Sequence, residues 1–106
     1  MCIRDSARLL LAEVAAHEGK GEEALLLATE CCRFFRREGT EWDRAFGTLE
    51  LAYAQAVCSN DKEVAPLLKE ASARAEQLAE KGDREFFTRC FERISGLIEA
   101  LPDSPR

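Results

Sequence analysis

The side chains with chemical capacity in this sequence are one histidine, five cysteines and a short basic run at Arg33, Arg36 and Arg37. A single histidine, His17, rules out a two-histidine metal site. Cys31 and Cys32 are adjacent, so on a helix they point about 100° apart and do not chelate one ion together. Cys58 and Cys90 fall on apolar helical stripes, where a free thiol behaves as a small hydrophobe. With Cys2 the count is odd, which points to reduced thiols in a cytoplasmic setting. His17 and Cys58 stand at matching places in the two halves of the chain, which favours packing over a base and its nucleophile. Gly19-Lys20-Gly21 is too short to wrap a phosphate and reads as a turn between helices. The three arginines close a helix, where positive charge is favourable anyway. These residues predict no cofactor, no metal and no enzyme.

The elements that would position such residues follow from composition and period. The chain has 106 residues, 46% hydrophobic and 33% charged, with a net charge of −5. That suits one domain with one core. The apolar content is too high for a disordered chain, and the apolar runs fall far short of the ~20 residues of a membrane span. An acidic balance argues against a nucleic-acid partner, which needs a basic face. Six glycines and three prolines leave few turns for a many-stranded fold.

The period is helical almost throughout. Trp42, Ala45, Phe46, Leu49, Ala52, Tyr53 and Ala56 mark one apolar face; Val64, Leu67, Leu68, Ala71, Ala75 and Leu78 mark another. Phe87, Cys90, Phe91, Ile94, Leu97, Ile98 and Leu101 form a third, while Ala24, Leu27, Ala28, Cys31 and Phe35 follow Leu10, Leu11 and Val14 in the first half. The predicted class is all-α.

Five helices are expected. Ser6 caps the first, which stops before Gly19. Glu22 and Glu23 open the second, which ends before Gly39 in a left-handed position. Thr40 and Asp43 form a capping box for the third, running to about Cys58. Ser59-Asn60-Asp61 caps a fourth, closing at Lys81-Gly82, and Asp83 opens a fifth that stops before Pro102. Pro66 is costly inside a helix, so the fourth is expected to start nearer Lys62 or Glu63, with Pro66 in its first turn. Among the doubled aromatics, Phe35 and Phe87 should face inward, and Phe34 and Phe86 should lie at seams between hairpins.

Internal repetition carries the organisation. Asp43-Arg44-Ala45-Phe46 returns as Asp83-Arg84-Glu85-Phe86, and Gly19-Lys20-Gly21-Glu22-Glu23-Ala24 aligns with Asn60-Asp61-Lys62-Glu63-Val64-Ala65. The stretch Leu11-Ala12-x-x-Ala15-x-x-x-Gly19-x-x-Glu22-Glu23-Ala24-Leu25 resembles the tetratricopeptide repeat, in a long bacterial form of about 40 residues rather than about 34. The second unit departs from that pattern at Tyr53, Asn60 and Pro66. The resemblance implies a right-handed helical-hairpin solenoid, with hairpins 6–38 and 40–81 and a capping helix 83–101, together a domain over 6–101 with a tail at 102–106. It further implies a concave groove for a peptide or partner helix, faced by Leu9, Glu13, Glu50 and Ala54. The opening Met1-Cys2-Ile3-Arg4-Asp5-Ser6 resembles a translated sequencing-adapter remnant, so residues 1–5 are expected to be a foreign leader. On that reading Leu9 and Leu10 are uncovered and drive homodimerisation. Alternative functions are a sensor or oligomerisation arm of a larger bacterial regulator, and a small-molecule site between His17 and Cys58.

Overall fold

The computed structural model describes residues 3–101, with side chains from Arg8 onward. Cys2, the first two residues of the expected leader and the tail at 102–106 lie outside the described residues. Within them the protein is all-α, with five helices: α1 (Ile3–His17), α2 (Gly21–Glu38), α3 (Glu41–Val57), α4 (Asp61–Glu76) and α5 (Lys81–Glu99).

The spacing is stricter than the motifs alone indicate. α2 and α4 begin at 21 and 61, and α3 and α5 at 41 and 81, each pair forty residues apart. The two hairpin turns have the same conformation. Gly19 and Ser59 both take positive φ (78° and 63°), and the next residues, Lys20 and Asn60, have φ,ψ of −90°, 64° and −87°, 60°. The hydrogen bonds match as well: Gly19 and Ser59 donate to Ala16 and Ala56, while Lys20 and Asn60 donate to Ala15 and Gln55. That pair of bonds is the Schellman arrangement, which satisfies the last carbonyls of a helix. The true counterpart of Gly19 is therefore Ser59, not Asn60, and the counterpart of His17 is Val57, not Cys58. Left-handed backbone is free to glycine but costs an L-residue about 1 kcal/mol or more. Replacing Gly19 with Ala is expected to lower stability by about 1 kcal/mol in urea titrations. Ser59→Gly should give a smaller rise, since the entropy glycine adds to the unfolded chain offsets part of the relief.

A second repeated device ties each hairpin to the next. Arg44 Nε donates to the carbonyl of Phe35 near the end of α2, and Arg84 Nη1 donates to those of Leu78 and Ala79 just beyond α4. Four residues on, Thr48 and Thr88 each donate their hydroxyl back to the carbonyl of that arginine, at 2.7 and 3.0 Å. The recurring Asp-Arg-x-Phe is thus the start of Asp-Arg-x-Phe-x-Thr, in which the arginine serves as a tether between helices.

Several boundaries move. The Thr40–Asp43 capping box forms, with bonds of 3.0 and 3.2 Å. Gly39, however, is extended (φ −85°, ψ 169°). It is needed for space, because a Cβ there would stand 2.8 Å from the carbonyl oxygen of Phe35. α1 starts at Ile3, ahead of Ser6, since nothing in residues 3–5 breaks a helix. Asn60 makes no capping bond; its side-chain amide donates to Gln55 instead, at 2.7 Å. α4 begins at Asp61 and holds Pro66 in its interior, against the expectation of a later start. Pro66 and Lys62 are both exposed, so the helical bond that Pro66 cannot make to the Lys62 carbonyl is lost on the solvent side of the helix. α4 ends at Glu76 and α5 begins at Lys81, so Gly82 and Asp83 sit in its first turn.

α3 lies at the centre and touches all four other helices. α1, α3 and α5 form one layer, α2 and α4 the other. α1 and α5 each touch α3, whereas the backbones of α2 and α4 do not approach. Burial follows. α3 is covered nearly all round, including Asp43, Thr48 and Glu50. Phe35 and Phe87 face inward, and Cys31, Cys32 and Cys90 pack in the interior. Phe86 touches Trp42 at the α3–α5 seam, while Phe34 contacts only Phe35 among the described rings. The face of α1 differs from expectation. Leu9, Ala12, Ala15 and Ala16 point inward, and Leu10, Leu11 and Val14 are half or more exposed. The wider apolar run misled the assignment, because alanines suffice where α1 and α2 cross closely.

Candidate functional site

The four residues expected to face a groove do not line one. Leu9 is buried in a small cluster with Cys31 and Phe35, and Ala54 is buried in the main core. Glu50 is also buried, with 3% of its surface exposed. Only Glu13 reaches the curved face, and it is committed there: Arg93 Nη1 donates to its Oε1 at 2.5 Å. Curvature explains the change. Glu13, Tyr53 and Arg93 stand forty residues apart on α1, α3 and α5, and the layer bends enough for the outer two to meet across the middle one.

Glu50 and Tyr53 lie within electrostatic reach of that bridge. The Tyr53 hydroxyl and His17 Nδ1 are in hydrogen-bond contact at 3.2 Å, with the rings edge to face. Burial pushes the Glu50 carboxyl up to about 8; the negative Glu13 adds to this and Arg93 opposes it. Glu50 is therefore mostly protonated at neutral pH. Burial likewise raises the Tyr53 hydroxyl and the Cys90 thiol, so neither is an activated nucleophile. Cys58 is engaged elsewhere, its Sγ 3.1 Å from where a Cβ on Gly21 would stand. His17 and Cys58 thus serve different neighbours, and no site is assembled between them.

The bridge ends an open cleft between α3 and α5. Trp42, Phe46, Phe86, Arg89, Cys90 and Arg93 line it, enclosing a volume of 410 Å³. Trp42 stacks on Phe46 at 5.7 Å, and Phe86 is tilted against Trp42 at 5.5 Å. Phe87 buttresses Trp42 edge-on from the core. The Arg89 guanidinium lies over the Phe86 ring, 5.6 Å from its centre. The stripe of α3 showed Trp42 and Phe46 as core residues. Arg89 and Arg93 went unnoticed because a charge on a helix usually marks a solvated face; the one available signal was the forty-residue step from Glu13 to Arg93.

The arginines of α2 are occupied in part. Arg36 pairs with Glu70 of α4 at 3.2 Å, and Arg74 holds the same carboxylate at 2.9 Å. Among the described residues no group of three His, Cys, Asp or Glu side chains could hold a metal ion, and no helix is long and apolar enough to cross a membrane. No family model matches the chain, and no curated protein or solved structure does either.

Proposed function

We propose that the chain is a non-enzymatic protein-interaction module, a tetratricopeptide-like superhelical array that binds a partner helix. One observation supports this most. Leu10, Leu11 and Val14 are 62%, 57% and 50% exposed on the outer side of α1. Their counterparts forty residues on, Glu50, Leu51 and Ala54, are buried or half-buried on α3. α1 thus carries apolar side chains at the positions that its repeat buries, a patch of the kind that marks association surfaces. Leu10, Leu11 and Val14 lie on one strip at helical spacing, suited to a second helix laid alongside. The partner helix is α1 of a second copy. This moves the interaction surface from the concave side, where Leu9, Glu50 and Ala54 are buried, to the outer face of α1.

Sedimentation equilibrium from micromolar to near-millimolar protein tests the reading. The native chain should associate to dimers as concentration rises, and Leu11→Glu should stay monomeric with an unchanged circular dichroism spectrum. Glu30→Lys, a charge change on α2, should leave association intact. A native chain that remains monomeric throughout, or a Leu11→Glu variant that dimerises equally, would overturn it.

A further inference from the structure

The cleft between α3 and α5 is a separate surface, and we infer that it is a binding site for a compact aromatic anion of the aryl-carboxylate class. Its volume of 410 Å³ falls within the usual range for small-ligand sites, about 300–1,000 Å³. Three aromatic rings supply the walls: Phe86 is 49% exposed, and Trp42 and Phe46 each keep a smaller part of their surface uncovered while packing against the core. Trp42, held by Phe87, and the exposed Phe86 offer aromatic surface against which a flat ligand can pack without reordering the core.

Charge selects the ligand's sign. On a chain of net charge −5, this cleft gathers two guanidinium groups. Arg93 gives one nitrogen, Nη1, to Glu13, so Nε and Nη2 remain as donors. Arg89 rests on a ring and forms no ion pair among the described residues. Glu13 is the acid already bonded to Arg93, while Glu50 is buried below and mostly protonated, so it offers little negative charge to compete. A guanidinium matches a carboxylate through parallel donors and stacks on flat rings, so both arginines suit a planar anion with an aromatic body.

Shape selects a compact ligand over an extended peptide. Arg93 is the last lining residue along α5, and its guanidinium is held by Glu13 of α1. A ligand extending past Arg93 would have to compete with Glu13 for it. The walls are helices whose backbone groups are bonded internally, so they offer no edge for strand pairing.

Trp42 is the only tryptophan, so its fluorescence reports on this cleft directly. The probe is phenylacetate, with phenylacetamide as its neutral counterpart and cyclohexylacetate as its non-aromatic one. Phenylacetate should change Trp42 emission saturably, and each control should bind at least about tenfold more weakly. Arg89→Gln should weaken phenylacetate by about tenfold and bring acid and amide close together, with unchanged helicity and melting temperature. Arg89 is the variant of choice because Arg93 also holds α1 to α5. No saturable change up to the solubility limit, equal binding of acid and amide by the native chain, or full binding by Arg89→Gln would each overturn the assignment. None of these results bears on dimerisation through α1, which rests on different residues.

Discussion

Replacing Glu50 with Gln is expected to stabilise the protein at pH 8 by about 3 kcal/mol and to leave it slightly less stable at pH 4.5. Glu50 ionises near 4.5 in the unfolded chain and near 8 in the folded one. Below the lower value both states hold the proton, and the protonated side chain's contribution is fully present. Between the two, the unfolded state releases its proton while the folded state keeps it, so stability falls with rising pH. The slope is about 1.4 kcal/mol per pH unit, and the loss reaches about 4–5 kcal/mol above pH 8. Glutamine has no proton to lose. Its buried amide needs new partners, which costs about 1–2 kcal/mol and accounts for the small deficit in acid. The measurement is the difference between native and variant unfolding free energies in urea from pH 4.5 to 8.5. A difference that is flat across that range would show that Glu50 titrates normally. Glu13→Gln should shift the native slope to lower pH, because it removes the like charge and frees Arg93 to face Glu50.

Phe35→Ala is expected to cost about 3–5 kcal/mol, a large share of the roughly 5–15 kcal/mol that holds a domain folded. Phe35 is 1% exposed and packs with Leu9 and Cys31 between α1, α2 and α3. Its ring also fixes the distance between α2 and α3, because a Cβ on Gly47 would stand 2.8 Å from Cδ2 of that ring. Gly47→Ala should therefore destabilise by about 1–3 kcal/mol through overpacking, even though alanine favours a helix by about 1 kcal/mol over glycine. The two changes should not add. With the ring removed, the methyl at 47 enters space left by Phe35, so the double variant should be more stable than the sum of the singles predicts. Melting curves for the four proteins decide this; strict additivity would mean that Gly47 and Phe35 do not set the helix spacing.

The helical class, the capping box at Thr40 and Asp43, and the inward faces of α2, α3, α4 and α5 were legible because each rests on local rules of period and hydrogen bonding. The inward face of α1 was not. Its core contacts are made by Ala12, Ala15 and Ala16, and large apolar residues on the other side gave the stronger signal. The groove residues failed for a related reason. Leu9, Glu50 and Ala54 follow from the register of the repeat they resemble, whereas here they are buried and α1 and α5 come close enough for Glu13 to meet Arg93. Such curvature depends on side-chain sizes at helix crossings, including Gly47 under Phe35, and not on any one motif. The left-handed Ser59 was hidden by its type, since serine seldom occupies the position that glycine takes at 19.

The place of α3 has a consequence for cooperativity. In an extended array each hairpin touches only its neighbours, and stability is close to a sum over units that can melt one by one from the ends. Here α3 shares surface with every other helix, and two ion pairs join helices that otherwise do not touch, Glu13 of α1 to Arg93 of α5 and Arg36 of α2 to Glu70 of α4. Removing either end strips cover from the same helix. The five segments are coupled through one common member, so a single unfolding transition is expected rather than melting helix by helix from the ends.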